Sequence, residues 1–547
     1  MTRSRILVLA GLAIVVVLAV VAYRLLGTVI GAKVEQRVAR IGLTPNQVAA
    51  HGPLPGEVGL YAKELACQQK IPTPGYYSSL NGAEISDSER SGVFPCATFL
   101  GSIDGPNRVY AWRSRDDYQG ISYINSRKPG ELYIVGGEYT VLEDPNMVGP
   151  FLAQADATTG KQIWRTYLDN SNASGRWIGN ANLNILDNGN VALAWSNQIV
   201  LIDGNTGEIL KHNTLPGGAA PAADVNYKHL TIAPDRTFIM KDQTRPLGCT
   251  LQGTVAILKC AAEGMKQPNS QLAAVNPETL EVLDSIELPE PATSPHIVTT
   301  FEGRIATYVA MNTMVQRAFW DPKTKKLSLD DSWVIRPMEK GQSAATAATV
   351  IGNWVGVVTN GIGSETIASS LVVASQKDPK NVKIIFPFGK ELKKGEWSFA
   401  MPKPGGDPEN SMFYIADAGL RKVAGIKIDQ ASGELKVAFV VDDITTGFQP
   451  LIGSKDRRVL LLTNMKLNVE KEPIKLAFFT QNYKEQVTWR DAATGKLLAE
   501  SDFFEPLPGN GLIVPGYGGR VYFPTFGSKG FYVLQVMPKA AAAPASK

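Results

Sequence analysis

Residue types that build metal centres and nucleic-acid-binding surfaces are scarce in this sequence. Its 547 residues include only four histidines and four cysteines, too few for a protein with several metal ions. Charged residues make up 19%, against about 25% in an average protein. The net charge is +4, and the two signs are mixed along the chain without a basic stripe. We therefore predict no metal site and no nucleic-acid partner.

The short motifs of the common enzyme classes are also absent. The sequence has no Gly-x-Ser-x-Gly, no His-Glu-x-x-His, no phosphate-binding Gly-x4-Gly-Lys, and no Gly-x-Gly-x-x-Gly after a strand. No two cysteines are spaced Cys-x-x-Cys, which argues against a zinc ribbon or a redox motif. No catalytic residue can therefore be assigned from a local motif.

A long apolar segment is present near the N-terminus. Residues 6–26 contain a single charge, Arg24, and are rich in Val, Ile, Leu and Ala. Such a helix can cross a hydrocarbon core about 30 Å thick. The alternative is a cleaved signal peptide, whose apolar region is normally about 7–15 residues long. We predict an uncleaved transmembrane helix, which anchors the protein in the membrane after a short cytoplasmic tip at 1–5.

The four cysteines form two local pairs. Cys67 and Cys96 lie before the main body, and Cys249 and Cys260 flank a short excursion between strand-like runs. Two disulfides would fit this arrangement, and disulfides persist in oxidising compartments; four unpaired core thiols are the alternative. Basic residues stand on both sides of the apolar segment, so the charge rule does not settle its orientation. The cysteines favour a body outside the cytoplasm, periplasmic in a Gram-negative source.

A turn followed by a strand recurs along the rest of the chain. In the turn, Asp or Asn can bond its own backbone, Thr or Ser supports it, and Gly takes a positive φ. Clear copies begin at Asp156, Asp203, Asp429 and Asp491, and degenerate ones at Asn276, Asp321 and Asp378. Their intervals are 47, 73, 45, 57, 51 and 62 residues, the length of four short strands with loops.

This spacing predicts an all-β protein with an eight-bladed β-propeller, with seven blades as the alternative. Innermost strands are expected to begin near Gly120, Asn180, Lys228, His296, Ala344, Ser398, Phe448 and Gly511. The last blade lacks a fourth strand, so we predict that residues 108–113 complete it as a split blade.

The domain organisation follows from these elements. Residues 1–5 are predicted as the cytoplasmic tip, 6–26 as the transmembrane anchor and 27–104 as a stalk with short helices and an irregular segment. Residues 105–537 form the predicted propeller, and the low-complexity residues 538–547 a disordered tail.

The Asp-x-x-Thr-Gly-Lys turn and the closing run 519–534 resemble the PQQ-repeat, quinoprotein alcohol dehydrogenase-like propeller superfamily. The resemblance implies a propeller that is either a quinone-cofactor dehydrogenase or a non-catalytic assembly scaffold. In the dehydrogenases an aromatic residue locks neighbouring blades, and here only Trp164 fills that position. Neither a Cys-Cys pair nor a Cys-x-x-Cys-His haem motif is present. We therefore predict no cofactor, with PQQ and calcium as the alternative.

Candidate binding residues stand where inner strands begin and where second strands end. This polar ring would suit a small polar or anionic ligand. Its candidates are Asn180, Asn182, Lys241, Asp242, Arg245, Gln342, Asn360, Gln449 and Asn464. Lys241 and Arg245 are the predicted donors to an anion, and His229 and His296 are weak candidates for a catalytic base.

The predicted function is therefore a membrane-anchored extracytoplasmic propeller that binds a partner protein or a small polar ligand. The alternative is a PQQ-dependent dehydrogenase with its cofactor in the funnel of the propeller.

Overall fold

The computed structural model describes residues 57–116, 118, 120–137, 150–168, 177, 182–293, 295–470, 472–506, 512–525 and 530–539. The predicted tip and anchor lie outside these ranges. Within them, no helix has the length and apolar character needed to cross a bilayer. The transmembrane anchor therefore stays a prediction.

The body is a ring of eight sheets whose blade strands are antiparallel, which confirms eight blades rather than seven; the strands of each blade are given from the innermost outwards. Blades 1 and 2 are β3–β6 (Tyr123–Asn125, Glu131–Gly136, Phe151–Asp156, Gln162–Tyr167) and β7–β10 (Asn182–Ile185, Val191–Trp195, Gln198–Ile202, Ile209–Thr214). Blades 3 and 4 are β11–β14 (Val225–Ile232, Phe238–Thr244, Gln271–Val275, Val282–Glu287) and β15–β18 (Ile297–Phe301, Arg304–Ala310, Val315–Asp321, Lys326–Ile335). Blades 5 and 6 are β19–β22 (Thr349–Ile351, Trp354–Val358, Leu371–Ser375, Val382–Ile385) and β23–β26 (Gly405–Asp407, Met412–Asp417, Lys422–Ile428, Leu435–Val441). Blade 7 is β27–β30 (Leu451–Ile452, Val459–Leu467, Tyr483–Asp491, Leu497–Glu500), and blade 8 contains β31–β33 (Val514–Pro515, Arg520–Pro524, Phe531–Pro538).

Blade 8 is completed by a strand from the other end of the chain, as predicted. Strand β2 (Asn107–Arg113) pairs antiparallel with β33 and supplies the outer strand. This pairing closes the ring, since the first and last parts of the propeller share one sheet.

The recurring turns have the chemistry that the sequence indicates. Asp156 Oδ1 accepts hydrogen bonds from the amides of Thr158 and Thr159, at 3.1 and 2.7 Å. The same arrangement follows Asp203. The fifth residue adopts a positive φ, 74° at Gly207, and in the degenerate copy Leu280 adopts 62°. Each turn therefore connects the third and fourth strands of its blade.

Aromatic rings pack against these turn glycines across blade boundaries. A Cβ placed on Gly207 would lie 2.6 Å from the ring of Trp164 in the preceding blade, and one on Gly495 would lie 2.5 Å from Phe439. A Cβ placed on Gly433 of blade 6 would likewise lie 2.2 Å from the ring of Trp354 in blade 5. Trp164 is thus one of several aromatic residues that join neighbouring blades.

Most inner strands begin within three residues of the predicted starts. The larger differences are in blade 5, which begins at Thr349, and in blade 6, which begins at Gly405. In both blades an extended loop precedes the inner strand.

Within the ranges given above, three α-helices lie outside the blades: α1 (Glu57–Gln68), α2 (Gly253–Ala262) and α3 (Ile474–Thr480). Both predicted disulfides are confirmed, Cys67–Cys96 and Cys249–Cys260. The first joins α1 to the segment before the propeller, and the second joins α2 to the end of a loop after β12. The predicted excursion between the second pair is therefore largely helical.

Candidate functional site: the plugged axial channel

The segment Tyr76–Phe94, here called the plug, runs beside the inner strands inside the axial channel. It includes the short strand β1 (Val93–Phe94), which pairs in parallel with the inner strand of blade 7. The sequence predicts an irregular stalk here, and nothing in the composition indicates that its chain runs between the inner strands. The plug is the principal feature that the sequence does not reveal.

Backbone hydrogen bonds join the plug to inner strands around the ring. The amide of Tyr77 donates to Ile185 O in blade 2 at 2.9 Å, and the amide of Val298 in blade 4 donates to Ser88 O at 2.9 Å. The amide of Leu451 in blade 7 donates to Gly92 O at 2.8 Å. These bonds satisfy the backbone of an irregular buried segment, which would otherwise be costly to remove from water.

Both ends of the plug lie at the end of the channel where inner strands finish. Tyr76 pairs with Leu186, just beyond the inner strand of blade 2, and β1 descends parallel to its blade 7 partner. The plug therefore enters and leaves at one end, with its tip reaching toward the starts of the inner strands. Cys96 lies directly after the descending limb, where its disulfide fixes it to α1.

Two residues of the plug form a buried ion pair. Arg90 Nη1 lies 2.5 Å from Glu84 Oε2, and the two side chains are 1% and 10% exposed. His229 of blade 3 faces the same carboxylate, with Nδ1 3.6 Å from Glu84 Oε1. Glu89 hydrogen-bonds to Thr299 of blade 4, and burial raises the pKa of this carboxyl to about 7. The channel thus contains an internal polar network shared by the plug and the blades.

The two candidate catalytic histidines lie inside this packed structure. His229 faces the plug carboxylate, as described above. His296 is fully buried, and its Nε2 lies 3.0 Å from Ile239 O. Burial, with smaller contributions from Arg90 and Lys241, holds the pKa of His296 well below its usual range. His296 is therefore neutral near pH 7 and has no exposed face toward a substrate.

Lys241, Asp242 and Arg245 are buried together along the end of β12 and the loop that follows it. Lys241 Nζ donates to the backbone oxygens of Asp242 and Ala292. Asp242 accepts from the Gln271 amide at 2.7 Å, and burial raises its pKa to about 7. Arg245 is paired with Asp224 at 2.6 Å. In this arrangement the two predicted anion donors contact protein oxygens.

Three amides of the predicted ring are likewise engaged within the protein. Asn360 donates to Ile367 O and Ser398 Oγ, both at 2.8 Å. Gln342 donates to Thr359 Oγ1 at 2.7 Å, and Asn464 accepts from the Ile444 amide at 3.0 Å. These amides bind loops rather than converge in one open pocket. Asn180 lies outside the described residues, and Asn182 begins β7 with a side chain that is not described.

A small cavity lies at the tip of the plug, where inner strands of blades 6, 7 and 8 begin. Its volume is about 20 Å³, room for one or two water molecules. Lys403 and Gln449 provide polar side chains, and both are 4% exposed. Gln449 is among the predicted inner-strand candidates, whereas Lys403, in the loop before blade 6, has no sequence signal that distinguishes it.

Metal-ligand side chains and cavity size bear on whether PQQ with calcium fits the described channel. Calcium needs several oxygen ligands that converge on one point, and no group of three His, Cys, Asp or Glu residues in the described ranges could hold a metal ion. The plug-tip cavity is also far smaller than a tricyclic quinone and is lined largely by apolar side chains such as Phe448 and Leu512.

Helix α1 is held against blade 8 by a buried carboxyl. Glu64 Oε2 accepts from the Gly518 amide at 2.8 Å, and the side chain is nearly inaccessible. Burial raises the pKa of Glu64 from 4.5 to about 7, against smaller opposing effects of its hydrogen bonds.

Glu64 predicts a pH-dependent stability. Between pH 4.5 and 7 the folded protein holds a proton on Glu64 that the unfolded chain has released. The contribution of Glu64 to the free energy of unfolding is therefore full below about pH 4.5 and is lost as the pH rises through 7. We expect Glu64→Gln to be neutral at pH 5 and to stabilise the protein by about 2–3 kcal/mol at pH 8.5. Urea unfolding at both pH values measures the difference. The exposed control Glu434→Gln should change neither value, and an equal effect of Glu64→Gln at both pH values would contradict the assignment.

Comparison with solved structures finds the same fold at very low sequence identity. The quinohemoprotein alcohol dehydrogenase of Comamonas testosteroni is 11% identical with a TM-score of 0.51, over 89% of this chain and 86% of that one. A europium-containing methanol dehydrogenase is 9% identical with a TM-score of 0.50, over 84% and 90%. BamB from Moraxella catarrhalis is 11% identical with a TM-score of 0.42, over 78% and 98%.

No protein-family model and no curated protein matches the sequence. The resemblance to the quinoprotein alcohol dehydrogenase-like propellers is thus confirmed at the level of the fold. Fold alone does not specify activity, because the same scaffold hosts different functions.

Proposed function

We propose that this protein is a membrane-anchored extracytoplasmic propeller that binds a partner protein or a small polar ligand and has no catalytic role. The observation that supports this most is the plug. The protein's own residues occupy the axial channel from one end and bond to inner strands of several blades. A propeller enzyme would need that space for substrate and cofactor.

The chemistry of the channel supports the same proposal. Its candidate histidines face a plug carboxylate and a backbone oxygen rather than an open cleft. A general base must lie within hydrogen-bond reach of a substrate proton, and both rings are buried, with His229 7% and His296 0% exposed. The blades and their loops remain as the surface available to a partner.

The location is proposed from the sequence and the disulfides together. Residues 6–26 supply the anchor, and two disulfides are typical of a body in an oxidising compartment. In spheroplasts, we expect an added protease to degrade the body without lysis, and a cytoplasmic marker to survive. Protection of the body until lysis would contradict this location.

Addition of PQQ and calcium to the purified full-length protein tests the absence of catalysis. We expect no shift in the quinone absorbance, no change in melting temperature and no dye-coupled alcohol oxidation, because no group of three His, Cys, Asp or Glu side chains in the described residues could hold the calcium ion. A quinoprotein dehydrogenase is the alternative function, and it predicts a red-shifted absorbance with thermal stabilisation. That result would overturn the proposal. A known quinoprotein treated identically serves as the positive control.

A further inference from the structure

The cavity at the tip of the plug is made jointly by the plug and the ring. Ile85, Ser91 and Gly92 line it from the plug, and Gly405, Gln449 and Val514 line it from blades 6, 7 and 8. Its small volume admits one or two water molecules or an ion of similar size. Large organic ligands are excluded by size.

Lys403 contributes a buried cation to this cavity. Its Nζ donates to Thr349 Oγ1 at 2.8 Å and to Pro404 O at 3.2 Å, both neutral oxygens. An ammonium group has three donors, so within the described part of the chain these two bonds leave one. Asp87 and Arg90 of the plug act on Lys403 with opposite signs, and burial dominates, lowering the pKa of this group to about 7. A buried cation of this kind is stabilised by a counter-ion.

Gln449 contributes an amide that the described protein does not satisfy. The side chain is 4% exposed, yet neither Nε2 nor Oε1 has a hydrogen-bond partner. Buried amides normally have partners, and one without them indicates a missing ligand or water. The amide and Lys403 line the same cavity, so both offer N–H donors to whatever occupies it.

We propose that this cavity binds a small, weakly hydrated monovalent anion through the Lys403 ammonium group and the Gln449 amide. Phe94, Phe448 and Leu512 supply an apolar wall, which disfavours ions that hold water strongly, such as sulfate. The inference rests on the proposed binding function and specifies its small-ligand form. The anion would also hold the plug to blades 6 and 7, since each contributes to the cavity.

Thermal unfolding of the full-length protein in detergent at pH 6, below the pKa of Lys403, tests this site, with sodium nitrate as the probe and sodium sulfate at equal ionic strength as the reference. We expect a saturable rise in melting temperature with nitrate only. Lys403→Met and Gln449→Leu should each weaken the fitted nitrate affinity by about tenfold or more. The control Lys436→Met removes an exposed lysine and should behave as the unmodified protein does.

Equal responses to nitrate and sulfate would overturn the proposal, as would a nitrate response that both variants retain. If Lys403→Met does not fold, Gln449→Leu decides, because it keeps the size of the side chain and adds no charge. The PQQ and protease measurements do not involve nitrate. A failure here would therefore leave their results on the proposed function unchanged.

Discussion

Replacement of Arg90 with methionine is expected to destabilise the protein by about 3–5 kcal/mol. The guanidinium is 1% exposed and lies 2.5 Å from the Glu84 carboxylate. Without it, the carboxylate stays buried in the channel, with His229 Nδ1 3.6 Å from Glu84 Oε1. A buried charge that loses its partner is much more costly than the pair itself. Urea unfolding at pH 7 measures the loss.

A second variant separates the charge from the packing. Glu84→Gln combined with Arg90→Met removes both charges, and we expect it to recover a large part of the lost stability. The surface pair Arg236 and Asp187 is the control, with side chains 58% and 36% exposed. Arg236→Met should change stability by less than about 1 kcal/mol. If Arg90→Met has no larger effect than this control, the plug is not a packed part of the propeller.

Removal of the Cys67–Cys96 disulfide is expected to destabilise the protein by about 3–4 kcal/mol. The bond closes a loop across 29 positions of sequence, and the chain-entropy account assigns this magnitude to a loop of that length. The loop contains the entire plug, so opening it also frees the descending limb from α1. Thermal and urea unfolding of Cys67→Ala/Cys96→Ala measure the change.

The second disulfide provides a matched control. Cys249–Cys260 spans 11 positions, and the same account gives about 2.8 kcal/mol for its removal. The variant Cys249→Ala/Cys260→Ala should retain plug protection in hydrogen exchange, whereas residues 76–94 should exchange faster without Cys67–Cys96. Equal protection of the plug in both variants would contradict its dependence on the first disulfide.

Local features of the sequence predict the ring. The turn that begins at Asp203 specifies its own bonds and its glycine conformation within five residues. Repetition of that unit predicts the blades, and the missing outer strand of blade 8 predicts the role of β2. The disulfides follow for the same reason, because each joins cysteines that are close in sequence.

The site depends on contacts that sequence position does not reveal. Polar residues at strand ends look alike, whether they face a ligand or bond to a neighbouring loop. Asn360 and Gln342 do the latter. Lys403 resembles the other lysines of the chain until the fold places it in the apolar surroundings of the plug-tip cavity.

The sequence by itself determined the eight blades, the split closing blade and the two cysteine pairs, since short-range turn chemistry and spacing govern them. Only the tertiary structure decided that residues 76–94 lie inside the channel. The plug has no periodic pattern, and its bonds join residues as distant in the chain as Leu80 and Tyr517. Such contacts form because the inner strands of a closed ring present backbone N–H and C=O groups to the axial space. An irregular segment in that space can form hydrogen bonds with them.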